Sequence, residues 1–216
     1  MLVFTHLEVG YYLFNRIKKN QTASFMVKPK DFIYGNILPD ISEMARKKHY
    51  LSETYDLFLE QKVIAMDPNH SNSERSRALG IATHFLCDYF CLYHAKAPYK
   101  ELSLLKHIIY ESQLHISTVW YFWTNCFRQK HYLPLSPKFR EAFNSMDIEI
   151  LLEGYNKSEE TLKTDVEFAL LAIHHQMMEI LGIKLMDTKV NDEQNFPDLQ
   201  VDDVLESISV LSRRSA

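Results

Sequence analysis

Two short runs constrain this chain more than anything else in it. One reads T-H-F-L-C-D-Y-F-C-L-Y-H and supplies His84, Asp88 and His94; the other reads K-H-I-I-Y-E-S-Q and supplies His107 and Glu111. Residues four apart on a helix lie one above the other on the same face. His84/Asp88 and His107/Glu111 are therefore ready-made ligand pairs if both runs are helical. Their neighbours Phe85, Leu86, Tyr89, Phe90, Ile108 and Ile109 predict that these helices are mostly buried. Charged groups in such surroundings need partners, and a metal ion is one. Imidazole with carboxylate is the donor set of zinc in hydrolytic sites. A single His/Asp pair is more often a local hydrogen bond or a solvated face than a metal site. Two pairs close together in the chain shift that balance, and His6, Asp40 and His49 upstream add donors for more than one ion.

His94 lies about 80° around an ideal helix from His84. It points sideways or falls past the helix end, and suits a second cluster with His107 and Glu111. One cluster is thus expected around His84/Asp88 and another around His107/Glu111.

The rest of the chain reads as helix after helix. Thr5 to about Lys19 has an apolar stripe and a basic last turn. Gly35 and Pro39 punctuate the next run, which places Asp40 on a loop or at a helix start. Glu53–Met66 forms a short helix. Ser71 with Glu74 is a capping-box pattern, opening a long helix to about Tyr93. Lys100 to about Gln129 is the next, with an aromatic end from Trp120 to Phe127 expected mostly in the core. Helices over 138–155 and 159–185 follow, the latter started by Ser158. Residues 187–200 form a polar surface linker, and Val201, Val204, Leu205, Ile208 and Leu211 mark a last helical stripe over 201–212. With no strand pair and only 5 Gly and 7 Pro in 216 residues, the expectation is one all-α domain.

Charge and cysteine content exclude other classes. A net charge of -4 gives no electrostatic footprint for duplex nucleic acid. No apolar run approaches the ~18 residues of a transmembrane helix. The N-terminus lacks a basic leader, so a cytoplasmic location is expected. Cys87, Cys91 and Cys126 do not look like a disulfide framework and read as reduced, buried thiols.

The order and spacing of the candidate ligands resemble the zinc-dependent phospholipase C family, whose relatives include zinc-dependent single-strand nucleases. The family pattern is an early His, a P-D, a downstream His, H-x3-D-x5-H and H-x3-E. Here these are His6, Pro39–Asp40, His49, His84/Asp88/His94 and His107/Glu111. The resemblance spans about residues 6 to 111 and implies a multi-helix bundle carrying two or three zinc ions that activate water against a phosphoester. It implies one zinc on His49, His84 and Asp88, and another on His94, His107 and Glu111. A third would use His6, with Asp88 as bridge, and the N-terminal amine and carbonyl of a Trp. Met1 stands where that Trp would be, so this site is expected to be completed by water or another side chain. Asp40 is implied beside the metals, as ligand or as the base that orients water.

The implied substrate is a phospholipid headgroup ester or a soluble phosphoester, with transient contact at a membrane surface. A single-strand nuclease is the enzymatic rival and would need exposed aromatic side chains to stack bases. A helical protein held by purely structural metals is the non-enzymatic one. His115 continues the face of His107 and Glu111 and is a candidate for orienting Glu111. His174 and His175 read as core histidines, and His70 and His131 as loop residues.

Overall fold

The computed structural model describes residues 1–18, 25–46, 49–96, 103–127 and 148–181. The expected linker, the helix over 201–212, His131 and the side chain of Cys126 lie outside the described residues. Within them the chain is all-α: α1 (Val3–Ile17), α2 (Pro29–Ile41), a short 3-10 turn (Glu43–Arg46), α3 (Leu51–Met66), α4 (Asn72–Tyr89), α5 (Leu92–Ala95), α6 (Leu104–Phe127), α7 (Ile148–Lys157) and α8 (Leu162–Leu181). No helix among them is long and apolar enough to cross a membrane.

The central element is α4. The Ser71 hydroxyl accepts from the Glu74 amide and the Glu74 carboxylate accepts from the Ser71 amide, so the capping box forms as read. From Ala78 to Tyr89 every residue of α4 is buried. Phe85 and Leu79 are fully covered, each contributing about 1.5–3 kcal/mol of apolar burial. Helices α1, α2, α3 and α8 all pack against α4, α2 most extensively.

The α2–α4 contact explains a misreading. Gly35 and Pro39 do not end the second helix; both lie inside α2, and Asp40 sits in its last turn rather than on a loop. Gly35 and Gly80 cross with their backbones touching. A Cβ on Gly80 would stand 2.2 Å from the Phe32 carbonyl oxygen, and one on Gly35 2.2 Å from that of Arg77. The missing side chains are thus a packing requirement that outweighs low helix propensity. Pro39 withholds the N–H that the Gly35 carbonyl would accept. One turn from the helix end, that loss is tolerated.

Two further boundaries and the burial of one segment differ from expectation. The fourth helix stops at Tyr89, and His94 lies on the separate turn α5. Thr161, not Ser158, caps α8, its hydroxyl accepting from the Thr164 amide at 3.1 Å. Ser158 instead donates to the Tyr155 carbonyl at the end of α7. In the aromatic end of α6, Phe122 is buried and stacks on Tyr12, whereas Trp123 is 61% exposed.

Glu167 on α8 is buried at 4% exposure, with Oε1 making no hydrogen bond. Burial pushes its carboxyl from 4.5 up to about 7. Because the folded state holds this proton more tightly, the site is tolerated below pH 4.5 and costs stability as pH rises toward 7. Glu167→Gln is expected to match the parent in melting temperature at pH 4.5 and to melt higher at pH 8. The difference approaches about 3 kcal/mol. A pH-independent difference would contradict this.

Candidate metal centre

Three elements bring the first set of donors together. His84 and Asp88 project from one face of α4, His49 from the segment before α3, and Asp40 from the end of α2. His49 Nδ1 lies 3.0 Å from His84 Nε2 and 2.9 Å from Asp88 Oδ2; His84 Nε2 lies 3.2 Å from the same oxygen. Asp40 Oδ1 stands 3.6 Å from His49 Nδ1 and 3.7 Å from His84 Nε2. Donors about 2.0–2.1 Å from a tetrahedral zinc are about 3.3 Å apart, and these separations bracket that value. His84 Nδ1 lies 2.8 Å from the Asn36 carbonyl. As donor there, it leaves the lone pair on Nε2, facing the cluster. That carbonyl is on α2, next to the Gly35–Gly80 crossing, so the close helix contact sets this bond's length.

The second set is as compact. His94 Nε2 lies 3.2 Å from His107 Nε2 and 3.0 Å from Glu111 Oε1, and His107 Nε2 lies 2.9 Å from that oxygen. His107 and Glu111 share a face of α6. The interruption after Tyr89 is what lets α5 turn His94 toward them. Cys91 also comes within ligand distance of His94 and Glu111, but burial pushes its thiol well above the usual range.

Asp88 faces both ways. While Oδ2 meets His49 and His84, Oδ1 lies 3.3 Å from His6 Nε2 and contacts the Met1 α-amino group. His6 is fully buried, makes no hydrogen bond through either ring nitrogen, and stacks on His84 at 3.7 Å. Its Nε2 also points toward Asp40 Oδ2 at 3.9 Å. The Met1 amino group additionally lies 3.1 Å from Glu111 Oε1.

Metal ligation requires neutral imidazole and ionised carboxylate, and His6, His94, Asp88 and Glu111 shift in that direction, whereas His49 and Asp40 shift the other way. Burial holds His6 down at about 3, reinforced by His84. His94 is also lowered by burial. Burial pushes Asp88 up, but the Met1 ammonium, His94, His6 and His84 outweigh it and hold the carboxyl well below its usual range. Glu111 is lowered in the same way, against its burial, by the Met1 ammonium and by hydrogen bonds from His107 and His94. His49 moves up despite burial because it hydrogen-bonds Asp88. Asp40 is raised by burial.

The remaining candidates fall elsewhere. His115 hydrogen-bonds the Thr5 hydroxyl at 3.2 Å, bracing α1 beside His6 rather than orienting Glu111. His174 and His175 are buried on α8 and belong to no ligand group among the described residues. His70 hydrogen-bonds Asp67 at the surface. The donor set and its spacing suit zinc. Of the donors, His107 is the most exposed, at 29%, so the centre opens at the start of α6.

No curated protein and no solved structure matches the chain. Residues 5–167, well over half of its length and all of the side-chain donors, match the family model described as zinc dependent phospholipase C. A fold of helices alone among the described residues, two clusters of paired imidazoles and carboxylates, and this match agree: the chain belongs to the zinc-dependent phospholipase C family.

Proposed function

We propose that the chain is a zinc-dependent phosphoric ester hydrolase whose substrates are phospholipid headgroup esters. The observation that carries this reading is the convergence of two imidazole–carboxylate clusters, which meet where His94 Nδ1 lies 3.8 Å from Asp88 Oδ2. His49, His84 and Asp88 would hold one ion, His94, His107 and Glu111 a second, and His6 with Asp88 a third. Bound zinc supplies Lewis-acid activation of water at neutral pH and stabilises charge on phosphoryl oxygens. Asp40, 16% exposed at the edge of the first cluster, would serve as a further ligand or as the base that orients the attacking water. The Asn36 carbonyl fixes the His84 tautomer, and the buried walls of α4 keep the donors in place. A structural metal site is normally closed, whereas exposure at His107 favours an open one.

The lipid reading rests on the rim. Leu104, Leu105, Ile108 and Ile109 are 74%, 67%, 45% and 49% exposed and flank His107 on α6. An apolar rim beside a metal centre suits a substrate presented at a bilayer surface. The nuclease alternative needs aromatic side chains at the site. The exposed Trp123 lies about 24 Å along the helix from His107, but the exposed Phe4 stands two residues from His6, so hydrolysis of single-stranded DNA is the discriminating comparison.

The test is hydrolysis of a short-chain phosphatidylcholine, lost with a chelator and restored by zinc, compared with single-stranded DNA. Replacing both Leu104 and Leu105 by Ser is expected to weaken binding to phospholipid vesicles by about tenfold or more. Hydrolysis of a soluble diester should persist. Equal loss on both substrates would contradict the rim assignment.

A further inference from the structure

We infer that Asp165, on α8, is a positioning residue for the His94–His107–Glu111 cluster: it ties the turn that carries His94 to the helix that carries His107 and Glu111. This inference rests on the reading of that cluster as a zinc site. Asp165 is 1% exposed. Its Oδ2 accepts the Leu92 amide at 2.9 Å and the Tyr110 hydroxyl at 2.6 Å, and its Oδ1 accepts the Tyr155 hydroxyl at 2.7 Å.

These partners matter because of where they stand. The turn α5 is a single turn, its leading residue Cys91 offers no side-chain cap, and its first amide would otherwise be buried without an acceptor. Asp165 supplies that acceptor from far along the chain. Tyr110 precedes Glu111 on α6, and its ring lies 4.8 Å from that of Tyr93, whose ring lies 5.1 Å from His107. One carboxylate oxygen thus holds both ligand-bearing elements at once. The 3.0–3.2 Å spacing of His94 from Glu111 and His107 follows from that shared anchor. Asp165 touches no donor itself. Its third partner, Tyr155, is on α7, which bears none of the donors.

The test is a chelator-competed zinc titration of the full chain and of D165N, Y110F, Y155F and H107A, with visible absorption spectra of the cobalt-loaded forms. H107A identifies the class of ions bound by this cluster. D165N is expected to bind that class about 10–100-fold more weakly, as loss of an outer partner of a ligand does, to alter the cobalt bands that H107A removes, and to keep the other class. Y110F should shift the same class in the same direction by less, which decides the matter if D165N fails to fold. Y155F should lower the melting temperature without shifting it. Wild-type affinities and spectrum in D165N or, where it does not fold, in Y110F would overturn the inference. So would equal weakening of both classes. A parent chain that binds no zinc would instead overturn the metal-centre reading on which the inference depends.

Discussion

Asp88→Asn is expected to abolish hydrolysis and to strip ions from more than one site while leaving the helical circular dichroism nearly unchanged. The carboxylate has one oxygen toward His49 and His84 and the other toward His6 and the Met1 amine. An amide of the same shape offers one acceptor oxygen and one NH2 group, which only donates. It can serve one side only, and it removes the negative charge at the centre of the donor set. Loss of an outer partner costs about 10–100-fold in affinity or activity. Loss of a bridging donor should exceed that range. Substitution of Glu111, which meets His94, His107 and the Met1 amino group but neither His49 nor His84, should spare the ion held by His49 and His84. Retained activity in Asp88→Asn would refute the bridging role.

The clusters were legible in the sequence because their spacing is a property of a helix. Once the segments around His84 and His107 are helical, the i,i+4 pairs must share faces. The Ser71/Glu74 cap was equally readable, since both partners lie within one turn. What escaped depends on contacts between distant segments. Phe90 and Cys91 continue the apolar pattern of α4, so nothing local marks the stop that frees His94 to face His107. Gly35 and Pro39 carry a breaker signal, yet α2 runs through them because Gly35 meets the backbone of α4. The Asn36 carbonyl is a backbone group and has no sequence signature. Asp165 reads as an ordinary residue of an amphipathic helix until Leu92, Tyr110 and Tyr155 surround it. Glycine positions alone did not single out the crossing, since Gly10 and Gly154 lie inside helices as Gly35 and Gly80 do.

Gly80→Ala is expected to be the most disruptive single methyl group in the fold. In an open helix the change would stabilise by about 1 kcal/mol through propensity. Here the new Cβ meets the Phe32 carbonyl oxygen at 2.2 Å, the Asn36 amide nitrogen at 2.9 Å and the Gly35 Cα at 2.9 Å. All three are backbone atoms of α2, which cannot rotate aside as a side chain would. The helix must shift, and overpacking of this kind costs about 1–3 kcal/mol or more. A net loss of about 2 kcal/mol is expected in denaturant unfolding. The shift also lengthens the His84–Asn36 bond and withdraws Asp40. Affinity for the ion of the first cluster should therefore fall while the His94–His107–Glu111 cluster keeps its own. A variant of parental stability with both classes intact would show that the helices do not cross as closely as described.

The most direct test of the central claim is the metal content of the purified chain by plasma mass spectrometry, with Asp88→Asn measured beside it. The account predicts two or three zinc equivalents per chain, falling to one or fewer on substitution. One equivalent or none in the parent, unchanged in the variant and not raised by added zinc, would contradict it.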